Sequence, residues 1–124
     1  MSELKELAAE AKHELLTHII PFWRGMRDDK FGGYYGYLSY DLALDEKAEK
    51  GCILNSRITW FFANAYLLYK DGGISEEECE AAGFKGEDLL AEAKHGYEFL
   101  REHCIDKEYG GIFWSLNYDG TPLD

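Results

Sequence analysis

The chain has 124 residues, with 13 Lys plus Arg against 24 Asp plus Glu, a formal charge of −11. Apolar residues make up 46 % and charged residues 30 %, a globular balance that argues against a disordered chain. The acidity argues against nucleic acid, whose phosphates need a basic patch, and against anionic membrane surfaces.

Ser2 to about Phe22 reads as an amphipathic helix. Leu4, Leu7, Ala8, Ala11, Leu15, Ile19 and Phe22 follow the three-and-four spacing, Ser2 is an N-cap residue, and Pro21 disfavours helix at Ile20. Asp28 to Gly33 is a turn. Tyr34 to Tyr40 is an aromatic-rich strand or hairpin arm, so a hairpin is expected over 31–40. Asp41 to Lys50 is a polar connection.

Cys52 to Tyr69 is the most informative stretch. On a helical wheel Leu68, Phe61, Leu54, Ala65, Ile58, Tyr69 and Phe62 fill one side. Ala63, Leu67, Trp60 and Ile53 occupy much of the other. Arg57 is the only charge between Lys50 and Lys70. A helix without a charged face is one that is buried all round, and it needs neighbours on every side, of which 124 residues supply few.

Asp71-Gly72-Gly73 ends that helix. Ser75 to Glu78 has capping-box spacing and starts a short helix, 75–82, that stops near Gly83. Glu87 to His103 is a second amphipathic helix, with Leu90, Ala93, Tyr97, Leu100 and Cys104 on its inner face. A second hairpin is expected over 109–118.

The pattern then repeats. Asp28 to Tyr35 matches Asp106 to Phe113, and Leu38-Ser39-Tyr40-Asp41 matches Leu116-Asn117-Tyr118-Asp119, 78 residues further on. Each copy follows an amphipathic helix, and the first precedes the apolar one. The unit is outer helix, Gly-Gly hairpin, inner helix, the building block of a two-layer helical toroid. Such units bury their cores by stacking. Six would need roughly 400 residues. The 124 residues are therefore expected to form one incomplete domain, the front part of a larger protein.

The N-terminus shows no basic region followed by an apolar one, so no signal peptide is expected. Cys52, Cys79 and Cys104 are far apart and lack C-x-x-C spacing, which fits reduced thiols in a cytoplasmic protein. Polar residues and Arg57 within the apolar stretch argue against a membrane span.

Arg57 is the leading candidate for function. It shares a stripe with Trp60 and Asn64. It either grips substrate oxygens in a polar cavity or pairs with an acidic loop residue such as Asp41 or Glu108. His13, His18, His95 and His103 all sit on the amphipathic helices and show no metal-ligand spacing, so neither a metal nor a cofactor is expected. Carboxylate pairs such as Asp28 with Asp29 are expected by chance in so acidic a chain. Trp60, Trp114, Tyr35 and Phe113 either stack on sugar rings or fill a core.

Lys50 to Phe62 resembles the first inner helix of cellobiose 2-epimerases, in the N-acylglucosamine 2-epimerase superfamily. Pro21-Phe22-Trp23 and Asp29 to Gly36 fit the stretch before it. Tyr97 to Leu100 and Tyr109 to Trp114 fit the stretch after it. The resemblance covers nearly the whole chain but about the first third of the family's barrel. It implies a mainly α fold, the N-terminal portion of an (α/α)6 barrel with short β-hairpins in the Gly-Gly loops. It also implies a sugar epimerase acting on the reducing-end glucose of a β-1,4-linked disaccharide through an enediolate.

The family's acid/base groups are histidines on later inner helices, and no histidine here matches them. Arg57 matches the barrel arginine, a binder of substrate oxygen and of the enediolate. Trp60, Asn64 and Trp114 are carried over as further substrate-binding residues. Pro122-Leu123-Asp124 leans toward the disaccharide members. The expected partners are a carbohydrate and, through the apolar helix, either a second copy or a C-terminal part. Two other readings are a catalytically silent sugar-binding or self-associating module, and an α/α-toroid glycoside hydrolase.

Overall fold

A computed structural model describes residues 2–123; Met1 and Asp124 lie outside the described residues. The elements run α1 (Ser2–Glu14), a π-helical turn (Leu15–Ile19), α2 (Ile20–Gly25), β1 (Lys50–Gly51), α3 (Cys52–Lys70), α4 (Glu76–Ala81), α5 (Gly86–Phe99), a second π-helical turn (Leu100–Cys104) and β2 (Ser115–Leu116).

The first helix does not stop at Pro21 but continues to Gly25. Pro21 stands in the first turn of α2, directly after the π-helical turn. In this unbroken helix its missing N–H removes one ladder bond, and the widened turn before it gives its ring room. Ser75 closes a reciprocal capping box with Glu78 at the start of α4, with both bonds at 3.0 Å.

The layer is held by α3 crossing α5. Gly96 allows this approach, since a Cβ there would lie 2.1 Å from Thr59 Oγ1. Ile58, Phe62 and Ala65 of α3 bury against Leu89 and Ala93 of α5 in a core with Leu16, Ile20, Tyr34 and Ile74. A smaller core joins Cys52, Phe99, Cys104 and Leu116. The inner face of α5 is thus Leu89, Glu92, Ala93, Gly96 and Phe99. Tyr97, expected inside, is exposed because the stripe sits one residue out of phase with the Leu90–Tyr97 reading.

Helix α3 lacks the neighbours that its all-round apolar surface needs, as the shortness of the chain leads one to expect, whereas the expected hairpins are corrected. Helix α3 is not enclosed all round: Cys52, Asn55, Ile58, Phe62 and Ala65 are buried, while Ile53, Trp60 and Leu67 are exposed. The stripe of Ile53, Trp60 and Leu67 leaves one long face of α3 open. The hairpins over 31–40 and 109–118 are not paired arms. Each Gly-Gly loop closes on a single bridge, Arg27 with Tyr34 and Ile105 with Ile112, and the regular pairing is β1 antiparallel to β2.

The repeat itself is exact in hydrogen bonds. Asp28 N donates to Gly33 O (3.0 Å) as Asp106 N does to Gly111 O (2.9 Å). Tyr35 N donates to Met26 O (2.7 Å) as Phe113 N does to Cys104 O (2.8 Å). Ser39 N to Ala43 O (3.0 Å) is matched by Asn117 N to Thr121 O (2.8 Å). Even the left-handed position recurs, at Leu42 (φ 66°) and Gly120 (φ 91°). Leu42 is 73 % exposed, so its side chain contributes little packing in return for this conformation. Leu42→Gly is expected to raise stability by about 1 kcal/mol, read as a higher urea midpoint at unchanged slope.

Candidate functional site

The open face of α3 carries the residues singled out from the sequence. Arg57, Trp60 and Asn64 succeed one another along it at three- and four-residue spacing, which places them on one stripe. All three are exposed, Trp60 at 69 %. Asn64 Nδ2 donates to Trp60 O at 2.9 Å, which tethers the amide to the helix one turn back.

Among the described residues Arg57 makes no ion pair or side-chain hydrogen bond, so the salt bridge to Asp41 or Glu108 does not form. Asp41 instead accepts from Ser39, and a hydrogen bond holds its carboxyl below the ordinary range. The guanidinium borders a cavity of about 240 Å³ with Trp23, Leu54, Ile58 and Phe61. Phe61 also lines the neighbouring hollow, about 190 Å³, with Trp60, Asn64, Leu15, Ala65 and Leu68. An uncommitted cation between aromatic walls is equipped to take oxygens of a neutral, partly apolar ligand.

Trp114 stands apart. Its carbonyl accepts from Cys52 N at 3.1 Å, capping the start of α3, and its ring is 71 % exposed. It shares neither hollow with Arg57. The other stacking candidates divide. Tyr35 donates to Glu46 at 3.2 Å, and burial pushes its hydroxyl up to about 12. Phe113 packs on the smaller core.

Beneath this face the loops are fixed by buried charge. Lys50 and Asp28 are fully buried. Lys50 Nζ donates to Asp28 Oδ2 at 2.5 Å and to Gly32 O at 2.7 Å. Asp28 Oδ1 accepts from Lys30 N (2.9 Å) and Phe31 N (3.0 Å). Desolvation opposes ionisation, but the Lys50 hydrogen bond and these amides outweigh it and hold the carboxyl below its ordinary value. Asn55 Oδ1 takes Tyr34 N at 2.8 Å. On the buried face of α5 Glu92 receives Arg24 Nε (3.1 Å), Arg27 Nη1 (3.3 Å) and Tyr34 Oη (2.9 Å).

Asp28 and Asp29 are both committed, to Lys50 and Arg27. His95 donates Nε2–H to Gly33 O at 2.8 Å, and His103 lies against Phe99. No histidine lines either hollow beside Arg57. Among the described residues no cluster of His, Cys, Asp and Glu is arranged to hold a metal ion, and no helix is long and apolar enough to cross a membrane.

No family model matches the chain. Among curated proteins it is 48 % identical over 118 residues to a cellobiose 2-epimerase of Ruminococcus albus, an alignment covering 95 % of this chain and 26 % of that one. A solved sugar epimerase from a ruminal bacterium superposes with a TM-score of 0.79 at 48 % identity, over 95 % of this chain and 26 % of that one. The cellobiose 2-epimerase of Bacillus thermoamylovorans superposes with a TM-score of 0.82 at 38 % identity, over 97 % and 27 %. The chain is homologous to the N-terminal quarter of cellobiose 2-epimerases.

It spans about a quarter of the length of the curated relatives it matches. The likeness to epimerase structures extends over the mainly helical layer, with Arg57 and Trp60 on α3, and the small two-stranded sheet that Trp114 precedes. Phe61, placed next to Arg57 on the helical wheel, does wall its cavity, whereas sequence reasoning did not single out Trp23 on the opposite helix as a site residue. The signal for Trp23 was its place two residues after Pro21, in a helix that the proline was expected to end.

Proposed function

We propose that the chain forms the first part of an (α/α)6 barrel in a sugar 2-epimerase. This enzyme interconverts glucose and mannose at the reducing end of a β-1,4-linked disaccharide such as cellobiose. The observation that carries the reading is the unpaired Arg57 guanidinium on the open face of α3, in a chain 48 % identical to a cellobiose 2-epimerase.

Epimerisation at the carbon beside a carbonyl needs a proton removed from one face and returned to the other. The enediolate formed between these steps carries its charge on oxygen. Arg57, with no competing carboxylate, donates charge-assisted hydrogen bonds to that oxygen. Trp60 and Trp114 offer apolar ring faces to the sugar, and Asn64 offers an amide to its hydroxyls. The acid/base pair is not among these residues. No histidine stands beside Arg57, so the 124 residues supply a binding face and the proton-transfer groups come from elsewhere in the barrel.

The isolated chain is therefore expected to give no glucosyl-mannose from cellobiose. It should nevertheless shift the indole signals of Trp60 and Trp114 in an NMR titration with the disaccharide. A hydrogen bond from a charged donor contributes about 1.5–3 kcal/mol, so Arg57→Ala should weaken that binding by about tenfold or more. Turnover by the pure chain, or indole shifts that Arg57→Ala leaves unchanged, would contradict this assignment.

A further inference from the structure

Cys52 and Cys104 lie 52 residues apart in the chain but belong to one small buried core. Both are buried, between Phe99 and Leu116. Both are bonded through their backbones to one short stretch of chain. Phe113 N donates to Cys104 O at 2.8 Å, and Cys52 N donates to Trp114 O at 3.1 Å. The next residues, Ser115 and Leu116, pair with Gly51 and Lys50. The first residue of α3 and the last residue of the second outer helix thus grip the same segment. Cys79 belongs to the larger core and provides an internal control.

We propose that Cys52 and Cys104 are a redox-responsive pair that closes to an intrachain disulfide when a small-molecule disulfide is supplied. The thiolate of one cysteine attacks the reagent's S–S bond, forming a mixed disulfide and releasing one thiol. The second cysteine, as thiolate, then displaces the reagent's other half. Two protein S–H bonds are lost, one S–S bond forms, and two reagent thiols carry away the protons and electrons. Burial pushes the Cys104 thiol well up, so thiolate is scarce in the closed state. Attack requires the Phe113–Leu116 segment to lift, and this makes closure slow. The covalent link then ties the last residue of the second π-helical turn to the first residue of α3.

The test uses the 124-residue chain incubated with oxidised glutathione or with dithiothreitol, then unfolded, alkylated and weighed intact. The oxidised sample is expected to lose two alkylation sites and 2 mass units per chain. Peptide mapping should join Cys52 to Cys104, dithiothreitol should reverse the link, and the urea midpoint of the linked form should rise. Cys79→Ala should keep the link; Cys52→Ala and Cys104→Ala should each lose it. Three free thiols after oxidation, glutathione adducts without a crosslink, or a link through Cys79 would overturn the proposal. The mapping is made on the unsubstituted chain, so it stands even where a core alanine impairs folding.

Discussion

Asp28→Asn is expected to destabilise the chain by about 3–5 kcal/mol, the usual result of stranding one member of a buried ion pair. The variant keeps the side-chain shape and one acceptor for the Lys30 and Phe31 amides, so the loss reports the charge opposite Lys50. Lys50 would be left fully buried with Gly32 O and the Tyr35 and Phe99 rings around it. Replacing both partners together, Asp28→Asn with Lys50→Met, should cost less than the first change alone, because no buried charge then lacks a counter-ion.

The same pair sets an acid limit. The Asp28 carboxyl titrates below its ordinary value of 3.8 in the folded chain. Its contribution is therefore complete above the ordinary carboxylate range and is lost as pH falls through the lowered value. Chemical denaturation at a series of pH values should show a loss of stability below about pH 4 that is smaller in the doubly substituted chain. An equal acid loss in both chains would place the sensitivity elsewhere.

The 124-residue chain is also expected to associate. Helix α1 has no buried residue, with Leu4 at 59 % and Leu7 at 62 % exposure. Its stripe continues into an open hollow of about 600 Å³ formed with Leu15, Leu68 and Gly73. Trp60, Leu67 and Ile53 extend the apolar surface along α3. A surface of this kind marks an interface, and each large side chain buried there contributes about 1.5–3 kcal/mol. Sedimentation at rising concentration should show a shift to dimers or larger species. Trp60→Glu with Leu67→Glu should raise the dissociation constant at least about 30-fold, as expected for loss of central interface anchors. A compact monomer at all concentrations, with cooperative unfolding, would show that this face is stable in water.

How much of this was legible in the sequence follows from chemistry. The Gly-Gly turns were readable because Asx side chains and left-handed glycines have few other uses in sequence, and both copies show them. Arg57 was readable as the only charge in an apolar helix. Lys50 was not, because a lysine closing a polar connection normally lies in solvent. Its burial depends on Asp28, 22 residues earlier. Glu92 was hidden for a similar reason. An acid on an inner face is explained only by Arg24, Arg27 and Tyr34, far away in sequence. The open side of α3 was legible from its all-round apolar surface set against a chain too short to surround it, but which stripe would stay open was not, because hydropathy reports what a helix can bury and not where its neighbours stand.

Tyr34 also sets an order of assembly. The first Gly-Gly turn closes with its own residues, and Lys50 can lock it soon after synthesis. But Tyr34 Oη has its partner in Glu92, 58 residues later, and Gly33 O has its partner in His95. At roughly 5–20 residues per second this leaves a delay on the order of several seconds on the ribosome. During it the first unit has its backbone arranged and its most buried aromatic still wet. Helix α5 therefore completes a loop made long before it. A nascent chain halted before Glu92 should remain open to proteases at Tyr34, and release of α5 from the exit tunnel should protect it.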